Sequence, residues 1–141
     1  MRALGSLVAV IMLGLAACEN QPPPPDAPQI RLDKASLGFG QEFGTGTYLG
    51  TQTPDALIVM NEGLQDLVIS SVSKSGDTTG SFTIDSVTTT PIPYNDEGFI
   101  RVIFRARDAG VVTATMTINS NAANSPSLDV PLSGRGVDAG Q

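Results

Sequence analysis

The 141-residue sequence contains no histidine, no tryptophan and a single cysteine, Cys18. Without histidine, neither a Ser-His-Asp nor a Cys-His arrangement can be assembled, and the commonest metal ligand and near-neutral general base is missing. One cysteine cannot close a disulfide within the chain, so a hydrophobic core rather than covalent cross-links must hold any fold. Five Phe and two Tyr are the only aromatic residues, too few to line a deep apolar ligand pocket readily. Cations are also scarce, 8 Lys and Arg against 14 Asp and Glu. No basic patch of the kind that binds nucleic acid is present, and the acids form no run, as expected of solvated faces. The longest apolar stretch, Leu7 to Ala17, has eleven residues, whereas a helix crossing a bilayer needs about 20.

That stretch follows Met1 and Arg2 and ends in the small residues Ala16 and Ala17, the order of a secretory signal that is removed. Leu15-Ala16-Ala17-Cys18 resembles the lipobox of bacterial lipoproteins. The resemblance implies that residues 1–17 are a signal peptide, that cleavage falls before Cys18, and that the Cys18 thiol carries a diacylglyceryl group, with palmitate-type acylation of the new amino group. It also implies a bacterial cell envelope location. Glu19, rather than Asp, follows the cysteine, which points to the outer membrane, on its periplasmic or surface side. Each buried methylene contributes about 0.8 kcal/mol, so two or three chains anchor firmly where one does not. After removal of residues 1–17, 7 basic and 14 acidic residues remain, a formal charge of −7.

Beyond Cys18 the run Pro22-Pro23-Pro24-Pro25-Asp26-Ala27-Pro28 predicts extended polyproline II, rising about 3.1 Å per residue. Residues 18–29 therefore read as a lipidated cysteine and a semi-rigid spacer of about 30 Å per ten residues.

From Ile30 to Val137 the chain alternates with period two between turn signals. Val112, Ala114, Met116 and Ile118 share one strand face, as do Leu128, Val130 and Leu132, and Ile100, Val102 and Phe104. The run Ala56–Met60 places Ala56, Ile58 and Met60 together, Leu67 pairs with Ile69, and Phe82 with Ile84. Gly, Asn, Asp and Pro clusters at 61–64, 75–80, 94–98, 107–110 and 119–126 supply the turns. Seven or eight strands are expected, near 32–40, 56–61, 66–73, 81–87, 98–106, 111–119 and 126–134, with a short one near 46–49. Regular strands with no helical segment between them define an all-β, immunoglobulin-like antiparallel β-sandwich over residues 30–137, with a short tail at 138–141.

Leu37–Thr47, Ile58–Val72, Phe82–Ile84, Arg101–Pro126 and Val130–Gly136 together resemble the ASH/hydin-like repeats of bacterial surface proteins, relatives in fold of the major sperm protein domain. The matching features are a Phe-Gly step ending the first strand, an Asn-x-Gly turn after the second, and a last strand ending in Leu-x-Gly-x-Gly. One step departs: Ala106 stands where proline is usual. The resemblance implies a sandwich without catalysis, used as a structural or protein-binding module.

Residual chemistry is thin. Lys34 and Lys74 have Ser36, Ser73 and Ser75 nearby, formally allowing a Ser-Lys dyad, but near neighbours on a strand point apart. The glycines of Gly38–Gly46 precede an extended Thr-rich segment, whereas a phosphate loop opens a helix. Asp77, Asp96 and Glu97 lack the spacing of a calcium loop. Tyr48, Tyr94, Arg101, Arg105 and Arg107 are the residue types of a partner surface. The expectation is thus a lipid-anchored, non-enzymatic envelope protein with no catalytic, cofactor-binding or metal-binding residues. Its one site is Cys18, inserted in the membrane through lipid. Its partner is another envelope protein or a cell-wall component rather than nucleic acid. The alternatives are a ligand-binding lipoprotein and a hydrolase.

Overall fold

A computed structural model describes residues 21–40 and 46–140. The signal-like segment and Cys18 lie outside the described residues. Nine strands form among those described: β1 (Ile30–Leu32), β2 (Leu37–Phe39), β3 (Thr47–Tyr48), β4 (Gln52–Asn61), β5 (Ile69–Ser75), β6 (Phe82–Val87), β7 (Glu97–Arg105), β8 (Gly110–Ser120) and β9 (Ser127–Val137). They make two facing sheets, β1-β4-β7-β6 and β2-β9-β8-β5, with β3 also on β9. This is the expected immunoglobulin-like sandwich.

The three most regular strands bury the faces that alternation predicts. Ile100, Val102 and Phe104 on β7, Ala114, Met116 and Ile118 on β8, and Val130 and Leu132 on β9 all lie in the core. At its centre Phe39, Phe82 and Phe104 stack with ring centroids 5.1 to 5.9 Å apart, joining β2 of one sheet to β6 and β7 of the other. Gly134 faces this cluster. A methyl group added there would sit 2.4 Å from the Phe104 ring, so only glycine lets β9 pass so close.

Three expectations are corrected. The single strand near 32–40 is two short strands in different sheets. β1 pairs antiparallel with β4, whereas β2 pairs parallel with β9, and Asp33–Ser36 carry the chain across. Second, pairing is not wholly antiparallel, because β2 and β3 both run parallel to β9 along one edge. Third, the phase of β4 is inverted: Leu57, Val59 and Asn61 are buried, while Ala56, Ile58 and Met60 face outward. Residues 56–60 are all apolar and so carry no alternation of their own; pairing of Leu57 with Ile100 and Val59 with Gly98 settles the face.

The sheet edges are short or bulged. β1, β2 and β3 have two or three residues each, β5 is bulged between Ile69 and Ser71, and β6 between Ile84 and Ser86. Such edges resist uncontrolled strand pairing.

Candidate functional site

The strand ends define two poles, and the proline-rich segment docks on one of them. The carbonyl of Pro25 accepts from the amide of Leu64 (2.9 Å), Asp26 from Gln65 (3.1 Å), Gln29 from Glu62 (2.9 Å) and Pro28 from Ala123 (2.8 Å). A polyproline stretch has no internal hydrogen bonds, so these loops supply the partners that it lacks. Three asparagines complete the seat. Asn61, 1% exposed, accepts from the amides of Gly63 (2.9 Å) and Gln29 (3.2 Å) and donates to the carbonyls of Gln65 (2.8 Å) and Ile92 (2.9 Å). Asn124 accepts from the Ile30 amide (2.9 Å) and donates to the Ile30 carbonyl (2.8 Å). Asn121 closes the neighbouring loop through the Val68 amide and the Asp66 carbonyl. Gly63 lies against the strap, and a side chain there would collide with the Ala27 carbonyl at 1.9 Å.

The Asn-x-Gly turn at Asn61-Glu62-Gly63 is thus the seat of the N-terminal segment. Asn124, which holds Ile30, and Asn121, which holds the loop beside it through Asp66 and Val68, read as plain turn residues in the sequence. Their one signal is that both fall in a single asparagine-rich turn, residues 119–126. Two open clefts border this pole. One of about 530 Å³ is lined by Gln21–Pro25 with Glu62, Tyr94 and Asn95. The other, about 270 Å³, is lined by Arg31, Met60, Glu62, Asn95, Asp96 and Glu97.

The residues weighed for chemistry are dispersed. Asp96 and Glu97 belong to this pole, whereas Asp77 lies at the other end, and no group of three potential metal-ligating side chains forms among the described residues. Both candidate lysines are engaged: Lys34 bonds Asp55 (2.9 Å) and the Ala56 carbonyl (3.1 Å), and Lys74 bonds Asp77 (2.7 Å) and the Phe82 carbonyl. Among the described residues every buried side-chain nitrogen and oxygen has a partner. Gly40 follows β2 with a φ of 67°, and residues 41–45 of the glycine-rich segment lie outside the described residues. Tyr48 is exposed at the far pole. Arg101 and Arg105 point outward from β7, and Arg107 bonds the Gly80 carbonyl (3.0 Å).

Asp77 organises the far pole. Its carboxylate, 1% exposed, accepts from Lys74 and from the amides of Ser81 and Phe82 (each 3.0 Å), fixing the crossing from β5 to β6. Burial alone would raise its pKa, but the Lys74 bond and the two amides outweigh this and lower it from 3.8 to about 2. A depressed pKa stabilises the fold above the unfolded-state value, and that contribution is lost as pH falls from about 4 towards 2. The shift corresponds to about 2 kcal/mol. Asp77→Asn should therefore cost about 2 kcal/mol at pH 7 and flatten the acid limb, as measured by urea unfolding at pH 7, 4 and 2.5.

The two facing sheets define an immunoglobulin-like β-sandwich. Residues 41–134 match the family described as "Protein of unknown function (DUF1573)". The match takes in well over half of the chain, and the protein belongs to that family. Among solved structures it is similar to the ASH/PapD-like domain 7 of human CEP192, at 15% identity and a TM-score of 0.62 over 99% of both chains. It is also similar to a Porphyromonas gingivalis W83 protein of unknown function, at 17% identity and a TM-score of 0.63, covering 84% of this chain and 51% of that one. Part of the Vibrio cholerae secreted serine protease VesC is similar too, at 14% identity and a TM-score of 0.55, over 82% of this chain and 24% of that one. These likenesses concern the fold alone. No curated protein matches the chain.

Proposed function

We propose that the protein is a lipid-anchored, non-catalytic module of the bacterial envelope that engages a protein or cell-wall component. The supporting observation is the docked strap. Because Pro25–Gln29 is hydrogen-bonded to the loops at 61–65 and 121–124, residues leading back to Cys18 leave from that pole, and the opposite pole faces away from any membrane holding Cys18. Only residues 18–24 then lie between the proposed anchor and the hydrogen-bonded strap, fewer than the expected spacer of residues 18–29. Such a geometry suits presentation of a domain at fixed height. The satisfied core and the open, shallow clefts support binding through surfaces rather than turnover in a pocket.

The test is fatty-acid labelling of cells producing the full chain or its Cys18→Ser variant. Palmitate label and membrane fractionation should both be lost in the variant, and label persisting on Cys18→Ser would overturn the anchor.

A further inference from the structure

The outward faces of the two sheets differ sharply in chemistry. On the β2-β9-β8-β5 sheet, the outward positions of β8 are Val111, Thr113, Thr115, Thr117 and Asn119, flanked by Ser71, Ser73 and Ser75 of β5. The β1-β4-β7-β6 sheet instead presents Pro54, Ala56, Ile58 and Met60 on β4 beside Phe99 and Ile103 on β7. Ile58 is directly opposite Phe99, and Pro54 opposite Ile103, so the apolar side chains form cross-strand pairs at the closest lateral spacing a sheet allows. Phe99 remains 46% exposed. A solvated face of an antiparallel sheet is normally polar; the Thr-rich face obeys this apart from the exposed Val111 at its end, and the β4–β7 face does not.

The charges around the apolar rows balance, although the chain as a whole is acidic. Arg31, Arg101 and Arg105 stand with Glu62, Asp85 and Glu97. Two pairs close within the chain, Arg31 with Glu62 and Arg101 with Asp85 at 3.6 Å. Glu97 and Arg105 have no ion-pair partner among the described residues, and they occupy the two ends of β7, about 26 Å apart and equidistant from Arg101.

We infer that this face packs against the same face of a second copy of the chain. A two-fold axis lying between the sheets, perpendicular to the strands and over Arg101, places Glu97 of each copy against Arg105 of the other. The same operation lays the Ile58–Phe99 row on the Pro54–Ile103 row, apolar on apolar. At the axis, Asp85 compensates Arg101 in each copy, and Ala56 leaves room for the guanidinium. A closed two-fold contact of this kind is self-complementary, with an apolar centre and a charged rim. The 28 residues of the four strands, at about 3.3 Å of rise and about 4.8 Å of strand spacing, present about 440 Å² per copy, or about 900 Å² in all, the size of a weak, transient contact. The dimer is accordingly weak at dilution and favoured where copies are concentrated. This contact does not depend on how the chain is anchored.

The test is photo-crosslinking in cells that produce the full chain with benzoylphenylalanine at position 99, and separately at position 115 on the Thr-rich face. The position-99 probe should give an adduct of twice the monomer mass, and the position-115 probe none. Glu97→Arg and Arg105→Glu should each reduce the yield at least fivefold, and the double variant should restore it, because the swapped charges again oppose each other. No dimer adduct at position 99, an adduct only with a different protein, equal dimer yield from position 115, or failure of the double variant to recover would each overturn the inference.

Discussion

Phe104→Ala is expected to destabilise the domain by about 4 kcal/mol, the middle of the range for removing a buried aromatic ring. Phe104 is fully buried, contacts the rings of Phe39 and Phe82, and packs against the backbone at Gly134. The cavity left behind cannot readily close. β9 is held on one side by β2 and β3 and on the other by β8, and β7 lies between β4 and β6, so neither backbone can move into the space without breaking a ladder. With a urea slope near 1.5 kcal/mol/M, the midpoint should fall by about 2.5 M, a large part of the total stability of an ordinary domain. Phe99→Ala is the internal control. It removes the same side chain from the same strand, but from the outward face, and should cost under about 1 kcal/mol. A comparable loss from both variants would show that the triad is not what joins the two sheets.

The contrast between Phe99 and Phe104 also shows which parts of the structure were legible in the sequence. On β8 and β9 polar and apolar residues largely alternate, and on β7 Glu97, Arg101 and Arg105 mark the outward face although Phe99 and Ile103 share it, so the buried face follows from a period of two. Between Ala56 and Met60 every residue is apolar, so the period carries no phase. There the decisive residue is Asn61, a polar side chain that turns inward against the usual preference because four backbone partners await it. The break between β1 and β2 was hidden for a different reason. Asp33–Ser36 looks like any polar strand segment, and the transfer from one sheet to the other depends on partners far along the chain, β4 for the first piece and β9 for the second. Parallel pairing of β2 and β3 leaves no mark in their few residues. The Asn-x-Gly motif was visible, but its purpose was not, since nothing local in Asn61-Glu62-Gly63 indicates that Pro25–Gln29 returns to lie across it.

The strap and the core meet at Asn61, which makes this residue the second sensitive point. Asn61→Ala should cost about 3 kcal/mol. The substitution strands the amides of Gly63 and Gln29 and the carbonyl of Gln65, while the Ile92 carbonyl keeps the Leu67 amide, and a buried polar group left without a partner costs about 1–3 kcal/mol. The full sum is not reached because groups at the pole can recover water once the strap loosens. That loosening is the distinctive part of the expectation. Leu64 and Gln65 donate to Pro25 and Asp26, so their amides should exchange with solvent far faster in Asn61→Ala, whereas amides of the β8–β9 ladder should change only as the global stability does. Asn61→Asp sharpens the assignment. Its carboxylate can still accept from Gly63 and Gln29, but it opposes the carbonyls of Gln65 and Ile92 with negative charge, so it should rescue little stability at neutral pH. Urea unfolding gives the global loss and hydrogen exchange the local one. If both variants unfold within about 0.5 kcal/mol of the parent, or if Leu64 and Gln65 stay as protected as the core, Asn61 does not hold the strap, and the pole from which the chain is tethered must be sought elsewhere.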